Sequence, residues 1–371
     1  MIVAKGLDGI VVEKTVLSRV DGQQGLLIYR GYHIDEIAKC TFEEVCYLFL
    51  FGKLPTAPEL ANLDQRLKSH RRVDPQVLSF IQQAPAGEEP MALLRTAVSM
   101  LSGYLPRVED NSPDALTENA IALISQVATI AAAISRVKHK QAPVDPDLTL
   151  SHAANYLFMS RGERVNDVVS KTLDTALVLH IDHGFNASTF SARVVVSTLT
   201  DIVSAVVAAI GSLKGPLHGG ANTAVMQMLL EIGELENVEP YVNEAMAAKQ
   251  KIPGFGHRVY KTFDPRAKHL KAMSEAWGKR VGNVKWFTMS EKLEALMWDK
   301  KQLNANVDFY SASTYYAMGI DPALYTVIFA VARMVGWTSH IIEQLADNRL
   351  MRPESEYVGP EGLKWVGITD R

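Results

Sequence analysis

DIVSAVVAAIGSLKGPLHGGANTAVMQMLLEI, residues 201–232, holds the change of character that decides the fold. Its first third is a run of Val, Ala and Ile with Ser and Gly at intervals, the pattern of a helix buried on most sides. The run stops at Gly215-Pro216, and Gly219-Gly220 prolong the bend. A second helix follows to about 233, with Asn222 as its expected N-cap. Upstream of the bend the helices are long and apolar; downstream they are shorter, more charged and separated by Gly/Pro loops.

Upstream, helices are expected over 57–70, 75–83, 89–102, 113–136, 148–160, 164–179 and 187–213, with polar loops at 85–89, 103–113 and 139–147. Thr41 with Glu44 forms a capping box that opens an earlier one. Downstream, helices are expected over 238–250, over 265–280 behind the cap Asp264-Pro265, from the capping box Thr288–Glu291 to about 302, and from Asp321-Pro322 to about 346. Only residues 9–33 alternate apolar and polar, around Asp21-Gly22, as a short β-hairpin does. The expected fold class is all-α: a large helical domain over 1–220 and 312–371, a smaller inserted helical domain over 221–311, and a minor N-terminal β-hairpin.

A chain of 371 residues that is 47% hydrophobic can bury the cores of two domains. Its net charge of −3 gives no electrostatic reason to expect nucleic acid or an anionic membrane as partner. Cys40 and Cys46 are too few for a disulfide framework, and MIVAKGLDGIVVEK at the N-terminus lacks the pattern of a secretory signal, so a cytoplasmic location is expected. The apolar stretches 194–213 and 322–342 are interrupted by Asp201 and Arg333 and are assigned to a helical core rather than to a membrane.

Four polar segments interrupt this background: HIDHGFN (180–186), GPLHGGAN (215–222), PGFGHRVYKTFDPR (253–266) and NVDFYS (306–311). His218 is expected near a helix N-terminus, where the macrodipole disfavours imidazolium; a neutral donor suited to an enolate oxygen and a plain capping residue are both open. Asp308, between Val307 and Phe309, is either a desolvated general base or an N-cap. From Lys249 to Lys268 six cations, Lys249, Lys251, Arg258, Lys261, Arg266 and Lys268, face the single acid Asp264, around the glycines 254 and 256 and His257. That is an anion footprint or a solvated face, and the glycines would let backbone amides approach a phosphate or carboxylate.

Arg333 is the only Asp, Glu, Lys or Arg between Asp321 and Glu343, in a stretch that reads as buried. A buried guanidinium must meet an anion, either a structural carboxylate or a bound one. Arg352 is a further candidate anion ligand or a surface residue. His180, Asp182 and His183 could be metal ligands, but no HExxH or CxxC signature accompanies them and the segment reads more as a substrate loop.

Taken together, GLDGIVV (6–12), YRGYHIDEIA (29–38), the four segments and RLMRPESEYVGP (349–360) resemble the citrate synthase family over essentially the whole chain. The resemblance implies an almost wholly helical enzyme, a large and a small domain closing over a cleft, assembled as a homodimer of the shorter type that lacks an N-terminal β-rich extension. It implies His218, His257 and Asp308 as catalytic residues. Oxaloacetate ligands would be His183, His257, Arg266, Arg333 and Arg352, the last from the other subunit. Coenzyme A would lie against Lys251, Ile252, Gly254, Phe255, Gly256 and Arg258, with Lys261 meeting a phosphate where many relatives have Arg. Acetyl-CoA enters as a substrate, and neither a metal nor a further cofactor is implied. A sibling activity, 2-methylcitrate synthase, uses propionyl-CoA with the same residues, and one methylene is worth only about 1–3 kcal/mol of discrimination.

Overall fold

Residues 4–371, apart from 8, 86 and 258, are described by a computed structural model. Three short strands, β1 (Ser18–Asp21), β2 (Leu26–Tyr29) and β3 (Tyr32–His33), form an antiparallel sheet in the order β1-β2-β3, with Ser18 opposite Tyr29 and Asp21 opposite Leu26. The helices α1 (Ile34–Ile37), α2 (Phe42–Phe51), α3 (Ala57–Ser69), α4 (Pro75–Gln82), α5 (Pro90–Met100), α6 (Pro113–Lys138), α7 (His152–Arg161), α8 (Asp167–His180), α9 (Ala187–Val196) and α10 (Ile202–Leu213) follow. Then come α11 (Ala221–Ile232), α12 (Val238–Ala247), α13 (Ala267–Arg280), α14 (Lys285–Lys301), α15 (Val307–Ala317) and α16 (Tyr325–Ala346). The all-α class is therefore observed, and the expected hairpin is extended by a third strand.

The core is built around α6 and α16. Nearly every residue of α16 from Tyr325 to Ile341 is buried, because the helix packs against α2, α6, α8, α9 and α10 on successive sides. A helix apolar all round is stable in water only when so enclosed. Among the described residues, α6 and the stretch Pro322–Ala346 are long and apolar enough to cross a membrane, and both lie mostly inside the fold. The other stretch, 194–213, is not one helix: Leu199 takes φ +68°, and Asp201 caps α10 by accepting the amide of Ser204 at 2.9 Å.

The second half has its own packing, α11, α13 and α14 against α15 and α12 against α14, with α11 also touching α16. The change of character at 220/221 coincides with the start of α11, but the expected boundary at 311/312 falls inside the continuous helix α15. The sheet spans the two halves. The Gly22 carbonyl accepts the Lys261 amide at 2.9 Å, and a Cβ on Gly25 would stand 2.9 Å from Thr262 Oγ1.

Three expected caps are displaced. Gly220, not Asn222, occupies the N-cap of α11; Asn222 lies in its first turn and accepts the Thr223 amide at 2.8 Å. Asp264 does not cap α13, since its carboxylate holds Arg266. α14 starts at Lys285, a turn before Thr288, where Asn283 accepts the Lys285 amide at 3.2 Å. The box at Thr41 forms as expected, with Glu44 accepting the Thr41 amide at 2.7 Å.

Candidate active site

The polar segments meet where α8, α9 and α16 face α11 and α15. The turn after α8 carries His183, whose buried Nε2 lies 3.1 Å from the Tyr260 hydroxyl. Its ring centroid is 5.0 Å from that of His257, and the His257 ring is 4.7 Å from that of Tyr260. His257 Nδ1 accepts the amides of Val259 and Tyr260 at 3.0 and 3.1 Å, so the neutral ring carries its proton on Nε2. Burial, with Arg266 nearby, lowers His257 to about 4. Burial and the cations Arg266 and Arg333, with His257, drive His183 well below its ordinary value.

His218 sits in the bend 215–220, which turns tightly enough that a Cβ on Gly219 would stand 2.3 Å from the Leu213 carbonyl oxygen. Its Nε2 is 2.8 Å from Ser188 Oγ and 3.4 Å from the Ser188 amide. Ser188 is itself held by Asn186 Oδ1 at 2.7 Å and by Trp337 Nε1 at 3.1 Å. Burial and Arg333 lower His218 to about 4. His218 is therefore neutral at pH 7, chiefly through burial.

Asp308 is the second residue of α15, not a loop residue, and Asn306 caps that helix by accepting the Asp308 amide at 3.1 Å. The Asp308 side chain is thereby free of capping duty. Its Oδ1 is buried with no hydrogen-bond partner among the described residues. Burial pushes the carboxyl up to about 7, Arg266 and Arg333 opposing and Asp264 adding to the rise.

Of the buried arginines, the two at this site, Arg266 and Arg333, differ. Arg266 donates from Nε and Nη2 to the two oxygens of Asp264 at 2.9 and 2.7 Å, and this pairing raises its pKa against the effect of burial. Asp264 also accepts the Val307 amide at 3.1 Å, tying the pair to the start of α15. Arg333 has no carboxylate in direct contact among the described residues: Nε donates to the His180 carbonyl at 2.7 Å, and the buried Nη1 is unpartnered. Burial lowers it to about 10. The structural ion pair is thus absent, and the guanidinium is left to meet a ligand. Arg352 lies exposed beyond α16, and its side chain makes no hydrogen bond or ion pair among the described residues.

The glycine loop is stitched to the strand-like stretch before α15. The Gly254 carbonyl accepts the Asn306 amide at 2.9 Å, and the Gly256 amide donates to the Asn304 carbonyl at 3.0 Å. The latter amide is committed to the fold, so these glycines serve chiefly by their backbone geometry: Gly254 has φ +84°, and a Cβ there would stand 2.7 Å from Phe309 Cδ2. Lys251 and Lys261 are exposed, Ile252 is buried, Phe255 is half-buried, and Arg258 lies outside the described residues. A cavity of about 260 Å³ is bordered by Gly256, His257, Tyr260, Lys261 and Asn306. A larger surface hollow, about 640 Å³, lies against α13 and α14 and contains none of these candidates.

The metal alternative is not assembled. His180 Nδ1 donates to the Ala176 carbonyl at 2.7 Å, Asp182 turns to His340 and Ser18, and His183 turns to Tyr260. Among the described residues no group of three such side chains could hold a metal ion. Ser188, Tyr260 and Asp264 join the site although sequence reasoning gave them no role there. Tyr260 and Asp264 lay within the densest polar segment, but Ser188 had no signal beyond its place after the capping Asn186.

Histidines held neutral, a buried carboxylate without a partner and buried arginines within one mostly helical fold are the equipment of an enzyme that moves protons on a carbonyl compound and holds an anionic substrate. The family profile described as "Citrate synthase, C-terminal domain" matches residues 6–354. The chain is 46% identical over 376 residues to a citrate synthase of Haloferax volcanii, covering 99% of this chain and 98% of the relative. It is 41% identical over 360 residues to a 2-methylcitrate synthase of Mycobacterium tuberculosis, covering 97% and 91%. The fold matches the citrate synthase of Thermoplasma acidophilum, solved as a ternary complex with carboxymethyl coenzyme A and oxaloacetate, with a TM-score of 0.94 at 33% identity over 100% and 99% of the two chains. The chain belongs to the citrate synthase family.

Proposed function

We propose that the protein condenses acetyl-CoA with oxaloacetate and hydrolyses the resulting citryl thioester to citrate and coenzyme A. The observation that carries this reading is the coexistence of a buried base without a partner, Asp308, and a buried cation without a carboxylate, Arg333. Asp308 takes a proton from the acetyl methyl group while His218 donates a hydrogen bond to the thioester oxygen, stabilising the enol or enolate. The new carbon–carbon bond forms as His257 polarises the oxaloacetate keto oxygen through its Nε2 proton and passes that proton to it; the proton that Asp308 took from the methyl group is released and replaces the one the ring gave, so both groups return to their starting states. Water then cleaves the thioester and releases the thiol.

Oxaloacetate is assigned to His183, His257, Arg266 and Arg333, with Arg352 supplied by a second copy in a homodimer. An apolar surface supports that assembly: Leu363, Trp365 and Ile368, in the tail after α16, are 80%, 84% and 82% exposed. Lys251, Ile252, Gly254, Phe255, Gly256, Arg258 and Lys261 are assigned to coenzyme A. The part 221–311, extended by the rest of α15, is assigned the role of a small domain that closes over the cleft and excludes water. The free thiols of Cys40 and Cys46 support a cytoplasmic location.

The test is thiol release from acetyl-CoA and from propionyl-CoA, each with oxaloacetate. Release from neither thioester overturns the reading. A higher kcat/KM for propionyl-CoA makes the protein a 2-methylcitrate synthase, which the Mycobacterium relative favours as the second reading.

A further inference from the structure

Beneath the turn that carries His183 runs a line of buried charge that the proposed chemistry does not use. Arg193 in α9, His340 and Gln344 in α16, and Asp182 in the turn are all buried. Arg193 pairs with Glu343 and donates from Nη1 to Gln344 Oε1 at 3.0 Å. Its Nε and Nη2 both point at His340 Nδ1, at 3.1 and 2.9 Å. A guanidinium can only donate, so Nδ1 carries no proton and the ring's proton sits on Nε2. That proton is given to Asp182 Oδ1 at 3.2 Å. Asp182 Oδ2 accepts the Ser18 hydroxyl and, at 3.1 Å, the Gly184 amide.

Charge alternates along this line: Glu343 negative, Arg193 positive, His340 a neutral bridge, Asp182 negative. The turn is gripped on its backbone as well. Tyr29 Oη accepts the Asp182 amide at 3.1 Å and donates to the Asp182 carbonyl at 2.7 Å. α16 admits the turn because residue 336 is glycine, where a Cβ would stand 2.3 Å from the Ile181 carbonyl oxygen and 3.0 Å from Asp182 Oδ1. The turn begins at His180, whose carbonyl receives Arg333 Nε, and it carries His183. One segment of backbone therefore sets both groups, and His340 holds that segment from below.

We propose that His340 and Asp182 are positioning residues for oxaloacetate, fixing His183 and Arg333 together through the turn 180–184. The inference rests on the assignment of oxaloacetate to those two side chains. A planar imidazole with one accepting and one donating nitrogen leaves the bridge only one orientation. A group that cannot both accept from Arg193 and donate to Asp182 would strand two buried charges and loosen the turn.

The test replaces His340 with Leu, which removes both hydrogen bonds, and with Gln, whose amide offers an acceptor and a donor. For His340→Leu the oxaloacetate KM, and its Kd by calorimetry, rise about tenfold or more, in line with losing the partner behind a ligand-holding group, while the acyl-CoA KM stays within about twofold. His340→Gln restores most of the oxaloacetate affinity. Ser18→Ala, which removes only one outer hydroxyl, raises the oxaloacetate Kd about threefold and serves if the Leu variant does not fold. Equal rises for both substrates, or unchanged oxaloacetate binding, overturn the inference. An unmodified enzyme that releases no thiol from either thioester overturns the functional reading instead.

Discussion

Replacing Asp308 by Asn should abolish turnover and at the same time stabilise the fold at neutral pH. The carboxyl ionises at about 7 in the folded protein against an ordinary value of 3.8, because burial disfavours its charge more than Arg266 and Arg333 favour it. Below 3.8 both states are protonated and the shift costs nothing. Between the two values only the folded state keeps its proton, so stability falls as pH rises, by roughly 1.4 kcal/mol per unit. A gap of about three units sets a ceiling of about 4 kcal/mol above pH 7. The residue keeps some contact with solvent, and screening brings the expected figure to roughly 1–3 kcal/mol. Asn carries no charge to desolvate, and Oδ1 loses nothing, having no hydrogen-bond partner. The assay is thermal unfolding of both proteins from pH 5 to pH 8.5, with thiol release in parallel. The Asn variant should gain on its parent as pH rises and level off above about 7. A difference independent of pH, or an Asn variant less stable at pH 8, would refute the reasoning, as would near-native turnover.

The kcat/KM for the acyl thioester should climb with pH to a plateau above about 7 as Asp308 loses its proton, with no second inflection from His218 or His257, both already neutral; a plateau reached by pH 5 would contradict the assignment. His218→Gln should lower kcat by roughly 10²–10³-fold in the thiol-release assay, the usual effect of removing one oxyanion donor. Gly254→Ala should lower the melting temperature and turnover together, since φ +84° costs an L-residue roughly 1–2 kcal/mol and the new methyl drives Phe309 away from its place beside Asp308. A chelator should leave turnover unchanged, whereas a metal-dependent hydrolase would lose activity.

How far the sequence could be read depended on whether a residue's role was local. α6 and α16 were legible because an apolar stretch of that length has few other uses, and Arg333 stood out as the sole Asp, Glu, Lys or Arg between Asp321 and Glu343. The break between α9 and α10 was hidden, since nothing in Leu199 announces a left-handed backbone. Asn222, Asp264 and Thr288 have the composition of caps, yet none caps its helix at the expected place, because composition does not fix which backbone group an Asn, Asp or Thr side chain meets. Asp264 is the clearest case, spending its oxygens on Arg266 and the Val307 amide. In the site, His218, His257 and Asp308 showed as polar islands. Ser188 did not, because a serine two places after a capping asparagine looks like part of the cap. The pairing of Asp182 with His340 spans 158 residues and leaves no local trace.

The N-terminal sheet has a kinetic consequence. Its neighbourhood is anchored to the most distant parts of the chain: the Val16 amide donates to Glu343 across 327 residues, Ser18 reaches Asp182 across 164, and Lys268 reaches back to Asp35 across 233. At ribosomal speeds of 5–20 residues per second, roughly 15–65 s separate the appearance of Val16 from that of Glu343. Leu17, Leu27 and Tyr29, fully buried in the finished fold, must wait through much of that interval without all of their final neighbours. Long-range closure of this kind slows folding and leaves an apolar strand edge open to wrong partners. The sheet is therefore made well before the segments that cover it and is among the last parts to be completed.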